Sequence, residues 1–235
     1  MSCFVMSDEY KCFCDELTSL GYDIIFSDRI NAFPKPEQKH ADMQILRIND
    51  AIFMLNECKD LYRKLTKSLS ANSIILCRNK AGEKYPKNIL LNFLILNNTI
   101  YGKMSSMDLS LKEYCIRNKI KMVNINQGYA RCSTLVLNES AVITADSNIE
   151  NALRNNGAEV LKITEGNIAL KGYNYGFIGG ASGKIDDNTV AFFGDITKHP
   201  DYSKIKNFCA KHNIEIKILS KNTMLLTDIG GIVAV

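Results

Sequence analysis

The sequence predicts an α/β fold: a five-fold pseudo-symmetric propeller of ββαβ units, closed by a C-terminal strand that joins the N-terminal unit. Three observations carry this. A unit of strand, polar turn, strand, helix and strand recurs about five times, clearest from Ser133 to Ile163. The turns between the first two strands are built from Asn and Asp, which tolerate left-handed backbone and bond their own main chain. The first unit lacks its first strand, and an unpartnered strand, Met224 to Val235, stands at the other end. Joining the two ends would remove exposed sheet edges.

The second strands are predicted to start at Cys3, Ala51, Thr99, Ala141 and Val190, a period of roughly 42 to 49 residues. The turns before the last four are Asn49-Asp50, Asn97-Asn98, Asn138-Glu139-Ser140 and Asp186-Asp187-Asn188. A helix follows each second strand. Asp8 to Leu20 spaces Tyr10, Phe13, Cys14, Leu17 and Leu20 on one face and stops at Gly21. A second helix falls around Leu55 to Leu69. Ser106 to Arg117 carries Met107, Leu109, Leu111, Tyr114 and Cys115. Ser147 to Asn156 is opened by Asp146-Ser147 and closed by Gly157, and Asp201 to His212 has Asp201 as its cap. The third strands read YDIIF, SIILC, IKMVNI, EVLKI and IEIKIL. The units fall at about 1–40 plus 224–235, 41–80, 85–128, 129–168 and 172–223 of one domain, 1–235.

Composition narrows the function. At 235 residues and 46% apolar content the chain can build a sizeable core. A net charge of +4, with basic residues in small groups, does not describe a nucleic-acid surface. No run is long and apolar enough to span a membrane, and the first residues lack the basic and apolar regions of a signal peptide. The eight cysteines have neither Cys-x-x-Cys nor zinc-ligand spacing, so no metal and no cofactor is expected. Most lie in apolar runs and read as small hydrophobes in a reduced cytoplasm. No oligomeric state is read from the chain.

A ring of five such units, with the phrases QGYARCST, GYNYGFIGGASG and DIGGIVAV, resembles the pentein, or guanidino-group-modifying-enzyme, superfamily, and within it an uncharacterised bacterial branch. The resemblance covers essentially the whole chain. It implies a propeller whose first strands start near a central funnel. Nine residues back from the second strands lie Asp42, Leu90, Cys132 and Ala181, with Asp228 at the equivalent place in the closing strand.

His40-Ala41-Asp42 resembles the His-x-Asp motif of the catalytic members, where His is the acid/base and Asp holds the guanidinium. A carboxylate suits a planar fork of N–H donors, and imidazole moves protons near neutral pH. Cys132 is the cysteine outside an apolar stretch, and Arg131 and His40 would favour its thiolate as a nucleophile. In the enzymes of the superfamily that cysteine lies near the C-terminus; Asp228 to Val235 holds none, so Cys132 would act from another unit.

Asp228, Arg131, Gly179, Gly180 and Ser182 are the expected ligand-binding residues. The glycines lack phosphate-loop spacing and fit a bulge or close backbone approach. His199 and His212 read as residues at the two ends of the fifth helix. The expectation is a protein binding a small guanidino or amino-acid-like ligand in its funnel, as a Cys/His-dependent hydrolase or deiminase acting on a C–N bond. The alternative is a non-catalytic binding protein of the same fold, like the ribosome-associated branch.

Overall fold

The computed structural model describes residues 2–68, 73–220 and 224–235. Among them lie five small three-stranded sheets and six helices. The first sheet orders β15 (Val233–Ala234), β1 (Cys3–Met6) and β2 (Asp23–Phe26), with helix α1 (Lys11–Ser19) between β1 and β2. The second holds β3 (Ile45–Ile48), β4 (Ala51–Met54) and β5 (Ile74–Leu76), preceded by the single turn α2 (Ala41–Gln44) and crossed by α3 (Lys59–Ser68). The third holds β6 (Leu94–Leu96), β7 (Thr99–Gly102) and β8 (Lys121–Asn124), with α4 (Leu109–Arg117). The fourth holds β9 (Thr134–Val136), β10 (Ala141–Thr144) and β11 (Glu159–Lys162), with α5 (Ser147–Arg154). The fifth holds β12 (Ser182–Lys184), β13 (Thr189–Phe193) and β14 (Glu215–Leu219), with α6 (Tyr202–Lys211).

Every sheet is built alike. The middle strand pairs antiparallel with one neighbour and parallel with the other, and the parallel pair is bridged by the helix. That is the crossover a parallel pair requires. Asn49, Asn97 and Asn98 take positive φ of 53°, 44° and 52°, as their turns demand. Asp146 caps α5 by accepting from the Ile149 N–H at 2.9 Å. Middle strands are the buried ones: all four residues of β4, β7 and β10 are buried, and β1 and β13 are buried after a half-buried first residue.

The expected second-strand starts at Cys3, Ala51, Thr99 and Ala141 coincide with β1, β4, β7 and β10, while β13 begins at Thr189, one residue before Val190. Several expectations are corrected. Met224 to Val235 is not a continuous strand: Leu225 and Thr227 make isolated bridges, then Gly230 and Gly231 turn the chain before β15. The two ends of the chain still share a sheet, through Phe4 opposite Ala234. Leu20 and Leu109 face solvent, because α1 ends at Ser19 and α4 starts at Leu109. Asp201 does not cap α6 with its side chain, which bonds the Thr164 N–H instead. The expected helix end at Leu69 lies outside the described residues. No helix among the described residues is long and apolar enough to cross a membrane.

Candidate active site

His40, Asp42, Cys132 and Asp228 come together, although they are separated by up to 188 positions (228 less 40) in the chain. His40 immediately precedes α2, and Asp42 sits inside that turn, its N–H donating to the Gly230 carbonyl at 3.2 Å. Gly230 has φ +78°, and a β-carbon there would fall 2.4 Å from the His40 Cα. The Asp228–Gly231 turn can therefore press against His40 only without a side chain. Cys132 lies in a turn ahead of β9, where the Ser133 N–H donates to the Tyr129 carbonyl at 2.9 Å.

The Cys132 thiol donates to Asp42 Oδ2 at 2.8 Å. Asp42 Oδ1 is buried and has no hydrogen-bond partner. Burial pushes the Asp42 carboxyl up to about 6; nearby Asp228 also raises it, and His40 partly offsets the rise. Asp228 is pinned by backbone, accepting from the Phe177 N–H at 2.8 Å and the Gly230 N–H at 2.9 Å. Its Oδ1 lies 3.9 Å from His40 Nδ1.

The thiolate expected from the neighbours of Cys132 is corrected. Burial first, then the charges of Asp42 and Asp228, push the thiol well above its ordinary value. Arg131 does not help, since its guanidinium donates to the Ile232 carbonyl at 3.1 Å.

Arg131, Gly179 and Ser182 line a different depression, beside Arg47 and Ile232. Gly180 belongs with the acidic residues: a β-carbon there would sit 2.0 Å from Asp228 Oδ1. This is the close approach expected of the glycine run. Leu90 and Ala181 are buried core.

Two polar residues escaped the sequence reading. Asn92 organises the floor. Its amide nitrogen donates to Cys132 Sγ at 2.9 Å and the Asp42 carbonyl at 3.3 Å, while its oxygen accepts from the N–H groups of Arg131 and Cys132. A lone amide within the apolar run ILLNFLIL was the available signal. Glu37 is 5% exposed despite lying in the lysine-rich segment Lys35 to Lys39. It accepts from Asn88 at 3.0 Å, Tyr129 at 3.3 Å and Tyr173 at 2.5 Å.

These groups enclose a cavity of about 280 Å³. Glu37, His40, Cys132 and Asp228 supply its chemistry. Tyr129, Tyr173, Tyr175 and Phe177 supply aromatic wall, with Tyr129 and Phe177 stacked at 6.0 Å. No Lys or Arg among the described residues lines it. No cluster with metal-site geometry occurs among the described residues.

The architecture has counterparts among solved structures. Solved structures of similar shape include DDAH from Pseudomonas aeruginosa complexed with citrulline, at TM-score 0.57 and 8% identity over 99% of this chain and 98% of that one. Inosamine-phosphate amidinotransferase from Streptomyces griseus matches at 0.55 and 14%, over 93% and 75%. A substrate-bound agmatine deiminase from C. jejuni matches at 0.55 and 8%, over 99% and 92%. The shared architecture is that of the penteins; at these identities what is shared is the fold. The chain belongs to a family of unknown function (DUF6873), whose model matches residues 4–233. No curated protein matches it by sequence.

Proposed function

We propose that this protein binds a small guanidino compound as a cation and hydrolyses one of its C–N bonds, with Cys132 as nucleophile and His40 as acid/base. One observation carries this reading: a thiol and an imidazole share a cavity that holds two carboxylates, with a third beneath it, and no Lys or Arg among the described residues that line it. A guanidinium supplies the missing positive charge and a planar N–H fork for Asp228, with the buried, unpartnered Asp42 carboxyl adding its charge from beneath. The guanidinium charge would also lower the Cys132 pKa, so the thiolate forms when ligand is bound.

The Cys132 proton passes to Asp42 Oδ2, its present acceptor, and sulfur adds to the central guanidinium carbon. Collapse of that adduct breaks one C–N bond, and the leaving amine takes a proton from His40. Water then adds to the S-linked amidinium, and loss of Cys132 releases a urea-type product with both protons returned.

Chloroacetamidine, a flat cationic electrophile, tests the pairing of thiol and cation site. The expected result is one label on Cys132, at least about tenfold faster than with neutral chloroacetamide and absent in Cys132→Ala. Labelling confined to exposed Cys12 would refute it. A non-catalytic reading, in which the same cavity only binds, is favoured by one observation: the resting thiol is buried and its pKa is raised. Release of ammonia or amine from a guanidine by the wild type but not by Cys132→Ala decides between them. All eight cysteines are free, which supports placing the protein in the reduced cytoplasm.

A further inference from the structure

We infer that the ligand of this cavity is a dication, with a guanidino or amidino group against Asp228 and a second, ammonium charge against Glu37 and its aromatic wall, and that an α-amino acid is rejected. This rests on the cation-binding reading above and names its substrate class.

Two carboxylates, from distant parts of the chain, line the one cavity. Asp228 shares it with Cys132, with Asp42 below. Glu37 is the other, and it is not explained by the chemistry at Cys132. A carboxylate 5% exposed and without a cationic partner is costly to bury. Its known partners are neutral: an amide and two phenols. Burial first, and then Glu37, raises the pKa of both Tyr129 and Tyr173, so these hydroxyls remain donors and bring no compensating charge.

Tyr129, Phe177 and Tyr173 line the same space, with the Tyr129 ring stacked on both Tyr85 and Phe177. Rings beside a carboxylate form a site for an alkylammonium or methylated ammonium group, which gains from both the π-face and the charge.

An α-carboxylate finds no Lys or Arg to pair with among the described residues lining the cavity, only neutral donors such as the Asn174 amide. Arg131 is bonded to Ile232 in another depression, and Lys39 is paired with Asp8. Lys171 lines only the adjoining groove. A carboxylate would meet Glu37 or Asp228 at close range, and like charges in a partly desolvated cavity repel strongly. A volume of about 280 Å³ is metabolite-sized.

Three matched probes test this by calorimetry on the full chain at neutral pH. 4-Guanidinobutylamine carries both cations, butylguanidine one, and L-arginine adds a carboxylate. The expected order places 4-guanidinobutylamine at least about tenfold tighter than butylguanidine, with L-arginine weakest. In Glu37→Gln the first two should bind within about threefold of each other, with butylguanidine unchanged. Tyr173→Leu, at a 44% exposed position that does not threaten folding, should cost 4-guanidinobutylamine about three- to tenfold and butylguanidine little. Butylguanidine binding as tightly as 4-guanidinobutylamine, or L-arginine binding as tightly as either, overturns the dication while leaving the guanidino site standing. Binding of none of the three overturns both.

Discussion

Two His-x-Asp triplets lie in this chain, His40-Ala41-Asp42 and His199-Pro200-Asp201, and their environments run in opposite directions. All four titratable residues are buried. At the second triplet, His199 Nδ1 accepts the Asp201 N–H at 3.1 Å. The Asp201 carboxylate accepts the Thr164 N–H at 2.6 Å and pairs with Lys204 at 2.7 Å, and these bonds hold its pKa well below the usual carboxylate range. At the first triplet, Asp42 receives only a thiol, leaves one oxygen unpartnered, and has its pKa raised to about 6. The carboxylates separate them, although His199 Nε2 is also unpartnered: one with its charge met ties a loop to a helix, while one left wanting beside a cavity is poised for a cation.

The largest expected effect lies at the structural triplet. Asp201→Ala leaves the Thr164 N–H without its acceptor, and chemical denaturation should show a loss of about 2–3 kcal/mol. A loss below about 0.5 kcal/mol would remove the contrast between the two triplets.

Asp42→Asn should do the reverse. Between about pH 4 and the folded pKa of about 6, the folded chain keeps a proton that the unfolded chain has released. Stability therefore falls as pH rises through that window and is flat above it. The substitution removes that penalty, so the variant should be about 2 kcal/mol more stable than wild type above the window, with the gain shrinking as pH falls through it. Asp201 has the opposite sign: its depressed pKa makes its contribution present above about pH 4 and lost on further acidification. Equal pH profiles for Asp42→Asn and wild type would contradict the raised carboxyl. Cation affinity should weaken as pH falls through about 6, because Asp42 then takes a proton, with His40, Asp228 and Cys132 the other titratable groups facing it.

Lys204→Met gives the smallest effect. The Lys204 side chain is 68% exposed, so its pair with Asp201 is screened and the change should stay within about 0.5 kcal/mol. A larger loss would shift the weight at Asp201 from its backbone bond to the ion pair.

Much of the architecture was legible. Asn49, Asn97 and Asn98 mark their turns because few side chains tolerate positive φ, and the middle strands follow within a residue. Helices announced by Asp146 and Gly157 form where their local bonding dictates. The site was legible only in outline. Aligning the units brought Asp42, Cys132 and Asp228 together, but missed Asn92 and Glu37, whose significance comes from partners 39 to 136 positions away. It also assigned Arg131 to the wrong company, since the direction of a long side chain depends on which carbonyl lies within reach.

By itself, then, the sequence determined the order of strands, turns and helices, because those depend on interactions within a few residues. Only the tertiary structure decided which of two His-x-Asp triplets faces a cavity, that the Cys132 pKa is pushed up rather than down, and that a glutamate among lysines is buried. The physical reason is that desolvation and long-range charge are properties of the packed environment, and they outweigh whatever a residue's sequence neighbours suggest.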